Sequence, residues 1–104
     1  MHQDVITFTK RLAGIDDLVS YIINYIDQNM ILYNILCNVE CSVTKVQNDP
    51  STMIYRIEGV KGEELNSLKT IPSEQQVMMY NVPYQVTILP DYDSSNLIIK
   101  ISVT

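Results

Sequence analysis

Residues 15–36 read IDDLVSYIINYIDQNMILYNIL, and the phase of this stretch decides how the rest of the chain can be arranged. At about 100° per residue, Ile15, Leu18, Val19, Ile22, Ile23, Tyr25, Ile26, Met30 and Tyr33 gather on one arc. Asp16, Asp17, Ser20, Asn24, Asp27 and Gln28 gather on the opposite arc. That is the period of an amphipathic helix, entered after Gly14. Asp16 and Asp17 fall in its first turn, where carboxylates complement the helix dipole. Further on the phase slips: Ile31 and Ile35 land on the polar arc, and Asn29 lands inside the apolar one. Either the helix breaks near Asn29, or its last turns are buried on all sides.

The apolar arc is roughly 200° wide, against the ≳100° stripe of an ordinary surface helix. Its flank of Leu18, Tyr21, Tyr25, Leu32 and Leu36 exceeds what one sheet would cover. Two readings fit. In one, this is a core helix with tyrosine hydroxyls at its rim. In the other, the five residues pack against another subunit or partner, with Tyr21, Tyr25, Leu32 and Leu36 partly exposed in an isolated chain and covered in an oligomer or complex. Tyrosine and methionine are favoured at interfaces, and contiguous apolar patches are rarely left in water.

Outward from the helix the pattern changes to period two. Val39, Cys41 and Val43 alternate with Glu40, Ser42 and Thr44. After the turn signal Asn48-Asp49-Pro50-Ser51, Met53, Tyr55 and Ile57 alternate with Arg56 and Glu58. Gly59-Val60-Lys61-Gly62 leads into a short helix over 63–69, ended by Pro72. From Gln76 the strand pattern returns with Val77, Met79, Tyr84, Val86 and Ile88, interrupted by Pro83, which demands an edge position or a bulge. A last strand puts Leu97, Ile99, Ile101 and Val103 on one face, with Lys100 and Ser102 on the other. The sequence thus predicts a single α+β domain over 1–104 in the order α-β-β-α-β-β. A mostly antiparallel sheet would pack against a long N-terminal helix.

Composition bounds the function. The chain has 104 residues, long enough for one self-supporting core. Its 46% hydrophobic content excludes a disordered chain. With 7 Lys plus Arg against 12 Asp plus Glu, the net charge is −5, the wrong sign for direct nucleic-acid binding. No run approaches the ~20 apolar residues of a membrane span, so no membrane partner is expected. The Met-His-Gln-Asp start lacks a signal-peptide pattern, and two cysteines make no disulfide framework. The expected setting is cytoplasmic: reduced and intracellular, virion included.

The residue types that carry catalysis are sparse. His2 is the only histidine, which removes the usual Ser-His and Cys-His arrangements. Cys37 and Cys41 have no second pair to close a zinc site and read as thiols without metal. No nucleotide-cradling glycine motif occurs. The run 91–96 departs from a calcium loop at Asn96 and at Ser102, where glycine and a bidentate glutamate belong. Glu63-Glu64 reads as a helix first turn rather than half of an acid pair. No metal and no cofactor are expected. Lysine and arginine are absent between Arg11 and Lys45 and between Lys69 and Lys100, so one side could be purely anionic and steer a basic partner.

The expectation is therefore not an enzyme but a protein–protein interaction or assembly protein. It would bind itself as a homo-oligomer, or another protein, through the helix flank. The α-β-β-α-β-β order also occurs in small viral assembly proteins such as tail-completion rings, an analogy of fold without a shared motif. One alternative is a small acidic protein that inhibits another macromolecule, of the immunity or host-defence-inhibitor type. A second is an enzyme working through carboxylates.

Overall fold

The computed structural model describes residues 15–38 and 40–104; His2, Gly14 and Val39, singled out above, lie outside them. The helical stretch is two helices, α1 (Asp17–Ile26) and α2 (Ile31–Leu36). The break falls at Asp27–Met30, where Met30 takes a left-handed backbone with φ 58°. A left-handed residue cannot continue a right-handed helix, so the chain restarts in a new phase. That is why Ile35, on the polar arc of a continuous helix, is buried here. The long first helix predicted above is corrected accordingly: α1 has 10 residues and α2 has 6.

After α2 come β1 (Ser42–Asp49), β2 (Thr52–Glu58), α3 (Gly62–Ser67) with a 3-10 turn over Leu68–Thr70, β3 (Glu74–Met79), β4 (Val82–Asp91) and β5 (Asn96–Val103). The five strands make one antiparallel sheet in the order β1-β2-β5-β4-β3. The α+β class holds. Over the described residues the element order is α-α-β-β-α-β-β-β, because the run after Pro72 holds two strands before β5 rather than one. The missed turn is Tyr80-Asn81, with φ 54° and 64°. Positive φ at both central residues is the twist that a two-residue hairpin needs. Glycine normally supplies it, and none is present there.

Pro83 is accommodated inside β4 without a bulge. Its carbonyl accepts the Thr104 N–H at 3.1 Å, and both backbone groups of a strand residue point the same way. The missing N–H therefore falls on the β5 side, where the ladder has run out at the Tyr84–Val103 pair.

One sheet face carries the core. Tyr55 and Ile57 of β2, Leu97, Ile99 and Ile101 of β5, Val86 and Ile88 of β4, and Val77 of β3 are buried. They form one cluster with Val19, Ile22 and Ile23 of α1, Leu32, Ile35 and Leu36 of α2, and Leu65 of α3. Val103 shares this face but is 42% exposed at the end of the sheet, short of the full burial its period implied. The opposite face carries Thr44, Arg56, Thr87, Lys100, Ser102 and Gln85, with Ile54, Ile98 and Leu89 among them. Gly59, at φ +80°, turns the chain from β2 toward α3, and a Cβ there would stand 3.1 Å from the Glu40 carbonyl oxygen.

Candidate interaction surface

Two buried polar residues on α1 and its exit set how the helices sit. Asp27, only 5% exposed, accepts the Leu32 N–H at 3.0 Å on Oδ1 and the Tyr33 N–H at 2.7 Å on Oδ2. These are free donors of α2's first turn, so a residue from the preceding helix end caps the next one. Ser20 is fully buried, and its Oγ has no hydrogen-bond partner. Both were placed on the polar arc by sequence, and both face inward.

At the other end, Asp16 Oδ2 accepts the Tyr55 hydroxyl at 2.7 Å and lies 2.7 Å from Lys45 Nζ. Lys45 also stands over the Tyr55 ring at 5.8 Å. Asp16 is the N-cap position of α1 rather than a first-turn residue. The hydrogen bonds from Lys45 and Tyr55 hold its carboxyl below the ordinary 3.8. Burial, then the bond to Asp16, pushes the Tyr55 phenol far above its ordinary value, and the trio ties the start of α1 to β1 and β2. A carboxyl depressed on folding contributes stability that is present above 3.8 and lost as pH falls through the folded value. Wild type should exceed Asp16→Asn in melting temperature near neutral pH, with the gap closing below about pH 4. Melts of both proteins across the acid range measure this, and a gap that persists unchanged into strong acid counts against it.

Cys41 Sγ lies 3.5 Å from the Gly59 carbonyl oxygen. Burial, then the charges of Glu64 and Glu40, raise its thiol above the ordinary value, with Lys61 opposing. That is the reverse of an activated nucleophile. Among the described residues no group of three or more His, Cys, Asp or Glu side chains is placed to hold a metal ion. A cleft of about 280 Å³ lies between the α1–α2 turn and residues 70–75, lined by Ile26, Asp27, Gln28, Ile31, Ile71 and Gln75 among others. Asp27 is the only carboxylate among the described lining residues, and both its oxygens are already engaged by α2.

No protein-family model, no curated protein and no solved structure matches the chain.

The structure divides the five residues of the helix flank. Leu18, Tyr21 and Tyr25, spaced three and four apart, lie along one line of α1. Leu18 and Tyr21 are half-buried, and Tyr25 is 68% exposed. Leu32 and Leu36 are buried in the chain's own core, and their expected partial exposure is corrected. The physical reason is the break at Met30: α2 is turned so that they face the sheet. Met78 and Tyr80, at 65% and 76% exposure around the β3–β4 turn, lie outside the flank that helical periodicity picks out. Tyr80 is doubly costly, because a bulky residue in the left-handed region carries about 1–2 kcal/mol of strain. The signal that could have found it is Met78-Met79-Tyr80-Asn81, an apolar run ending at an asparagine, a residue tolerant of positive φ. Among the described residues no helix is long and apolar enough to cross a membrane.

Proposed function

We propose that this protein is a non-catalytic assembly component that works as a homo-oligomer, with the α1 flank of Leu18, Tyr21 and Tyr25 as one of its contact surfaces. The observation that carries the reading is the exposure of Tyr25, at 68%, beside two half-buried apolar neighbours on the same line of the helix. Large side chains at helical spacing supply contact area with few rotors to freeze, which suits a protein interface. An acidic net charge of −5 keeps such a surface from binding phosphate backbones and leaves protein as its partner.

Replacing Tyr25 with Glu should weaken self-association while the melt stays cooperative, because the side chain stands outside the core. Light scattering and a thermal melt on the same samples report the two properties separately. An oligomer unaffected by the substitution would remove α1 from the interface. Loss of the fold would return Tyr25 to a core role.

A further inference from the structure

The two edges of the sheet differ in how they meet solvent. An exposed edge strand offers unpaired N–H and C=O groups to any extended chain, and proteins blunt such edges with bulges, inward charges and prolines. On β1 two of these devices are present. Its register shifts between Lys45 and Gln47, and Lys45 on the core-facing side carries a charge inward to Asp16. β3 has neither. Its register against β4 runs without interruption from Glu74 to Met79, and its sequence EQQVMM holds no lysine, arginine, proline or glycine.

The direction of β3's backbone groups follows from one bond. The Ser73 carbonyl accepts the Ile88 N–H at 2.8 Å, so Ser73 and every second residue after it (Gln75, Val77 and Met79) turn their backbone groups toward β4. The N–H and C=O groups of Glu74, Gln76 and Met78 therefore point away from the sheet. Among the described residues β3's only strand neighbour is β4. Met78, at 65% exposure, and Tyr80, at 76%, border this edge.

We propose that β3 is the strand through which a second copy of this chain adds, antiparallel and about a two-fold axis at Gln76, joining two sheets into one. This deepens the assembly reading above and rests on it. The occupant follows from register. With the axis at Gln76, Glu74 pairs with the partner's Met78, Gln76 with the partner's Gln76, and every outward backbone group is matched. Moving the axis to Val77 sets Glu74 against the partner's Tyr80, whose φ of 54° takes it out of the strand. Moving it to Gln75 sets Met78 against the partner's Pro72, which has no N–H.

Charge allows this register and disfavours the axis at Gln75, which would bring the two Glu74 side chains to about 7 Å along the strands. Self-contact in a chain of net charge −5 has to keep carboxylates apart, and Glu74 is the only charged residue of β3. In the Gln76 register the two Glu74 side chains are about 13 Å apart along the strands, beyond the ~8 Å screening length at physiological salt. Asp91 and Asp93 lie at the opposite end of β4 from the β3–β4 turn, so the two acidic ends sit at diagonal corners of the joined sheet. A two-fold contact uses the same patch twice, which a self-complementary strand satisfies.

Sedimentation velocity on the full chain, as wild type and as three Gln76 variants, tests this. Gln76→Pro removes an outward N–H and breaks no bond inside the monomer, since proline is tolerated on an edge facing solvent. Gln76→Lys brings two like charges together at the axis, and carries the test by itself if the proline variant does not fold. Gln76→Cys places the new thiols at a Cα separation of about 5.5 Å, within disulfide reach. The expected results are a self-associating wild type, a smaller species for Gln76→Pro and Gln76→Lys, held by the α1 flank alone and with amide spectra still dispersed, and an oxidised Gln76→Cys oligomer bridged at position 76 by mass spectrometry. A wild type that stays monomeric at every concentration overturns both this inference and the assembly reading. Self-association unchanged in Gln76→Lys and in folded Gln76→Pro overturns the strand contact alone and leaves the α1 flank as the interface.

Discussion

A chain ended at Asn96 is expected to have no cooperative fold. β5 is the middle strand of the sheet, paired with β2 through Tyr55–Ile99 and with β4 through Ile88–Ile99. Removing it leaves two ladders with nothing between them. Leu97, Ile99 and Ile101 are each fully buried, and apolar side chains of this size contribute about 1.5–3 kcal/mol apiece. Their sum, roughly 4.5–9 kcal/mol, is comparable with the ~5–15 kcal/mol net stability of a whole domain. The loss also strips cover from Tyr55, Ile57, Val86 and Ile88, which are buried beside β5. Near-ultraviolet dichroism and a thermal melt should show no tertiary signal and no sharp transition. The point substitution Ile99→Ala should keep the fold and lower stability by about 2–5 kcal/mol, as large-to-small changes in cores do. A truncated chain with one dispersed set of amide resonances and a steep melt would mean that β5 is dispensable, against its position in both ladders.

The second large effect belongs to Asp27. Replacing it with Ala should cost about 2–3 kcal/mol, more than an ordinary helix cap, because two charge-assisted bonds are lost at once. The Leu32 N–H is left buried and without its acceptor. Asn at this position keeps one acceptor oxygen but turns an amine toward the other N–H, so it should restore only part of the loss. Denaturant titration reads the stability, and amide exchange at Leu32 and Tyr33 reads the cause, since both protons should exchange faster in Asp27→Ala. A loss under about 0.5 kcal/mol, the scale of an unremarkable surface change, would show that the cap contributes little.

Asp27 also shows what the sequence conveys and what it withholds. A strand with alternating Met53, Tyr55 and Ile57 reveals its buried face, because every second side chain must point the same way. Leu97, Ile99 and Ile101 are legible for the same reason, and so is the Pro50-Ser51 turn. An aspartate on a helix reads as solvent-facing, since unpaired charges are not buried. Whether its carboxylate instead turns inward to cap a following helix depends on a chain reversal three residues later, at Met30. The same reversal separates Leu32 and Leu36 from Leu18, Tyr21 and Tyr25. On a continuous helix all five share a flank, and after the break two of them belong to the core. Tyr80-Asn81 was opaque for a different reason: its backbone conformation is usually announced by glycine, and here the hairpin geometry imposes it on a tyrosine. Tyr25 was legible as a surface candidate because period alone places it, whereas Met78 becomes visible only once β3 is known to be an edge.

The place of β5 between β2 and β4 has a consequence for the way the molecule gains its structure. The β1–β2, β3–β4 and β4–β5 ladders each join neighbours in sequence through short turns, so their loop-closure entropy is small and they can form early. The β2–β5 ladder is different, because α3 and the whole β3–β4 hairpin intervene between its two strands. Closure cost rises with the length of chain enclosed, and non-local pairings slow folding. The halves of the chain before and after Gly59 can therefore each gain local order first. They become one cooperative unit only when Tyr55 and Ile57 meet Ile99 and Leu97, and that long-range meeting is the step expected to be slowest.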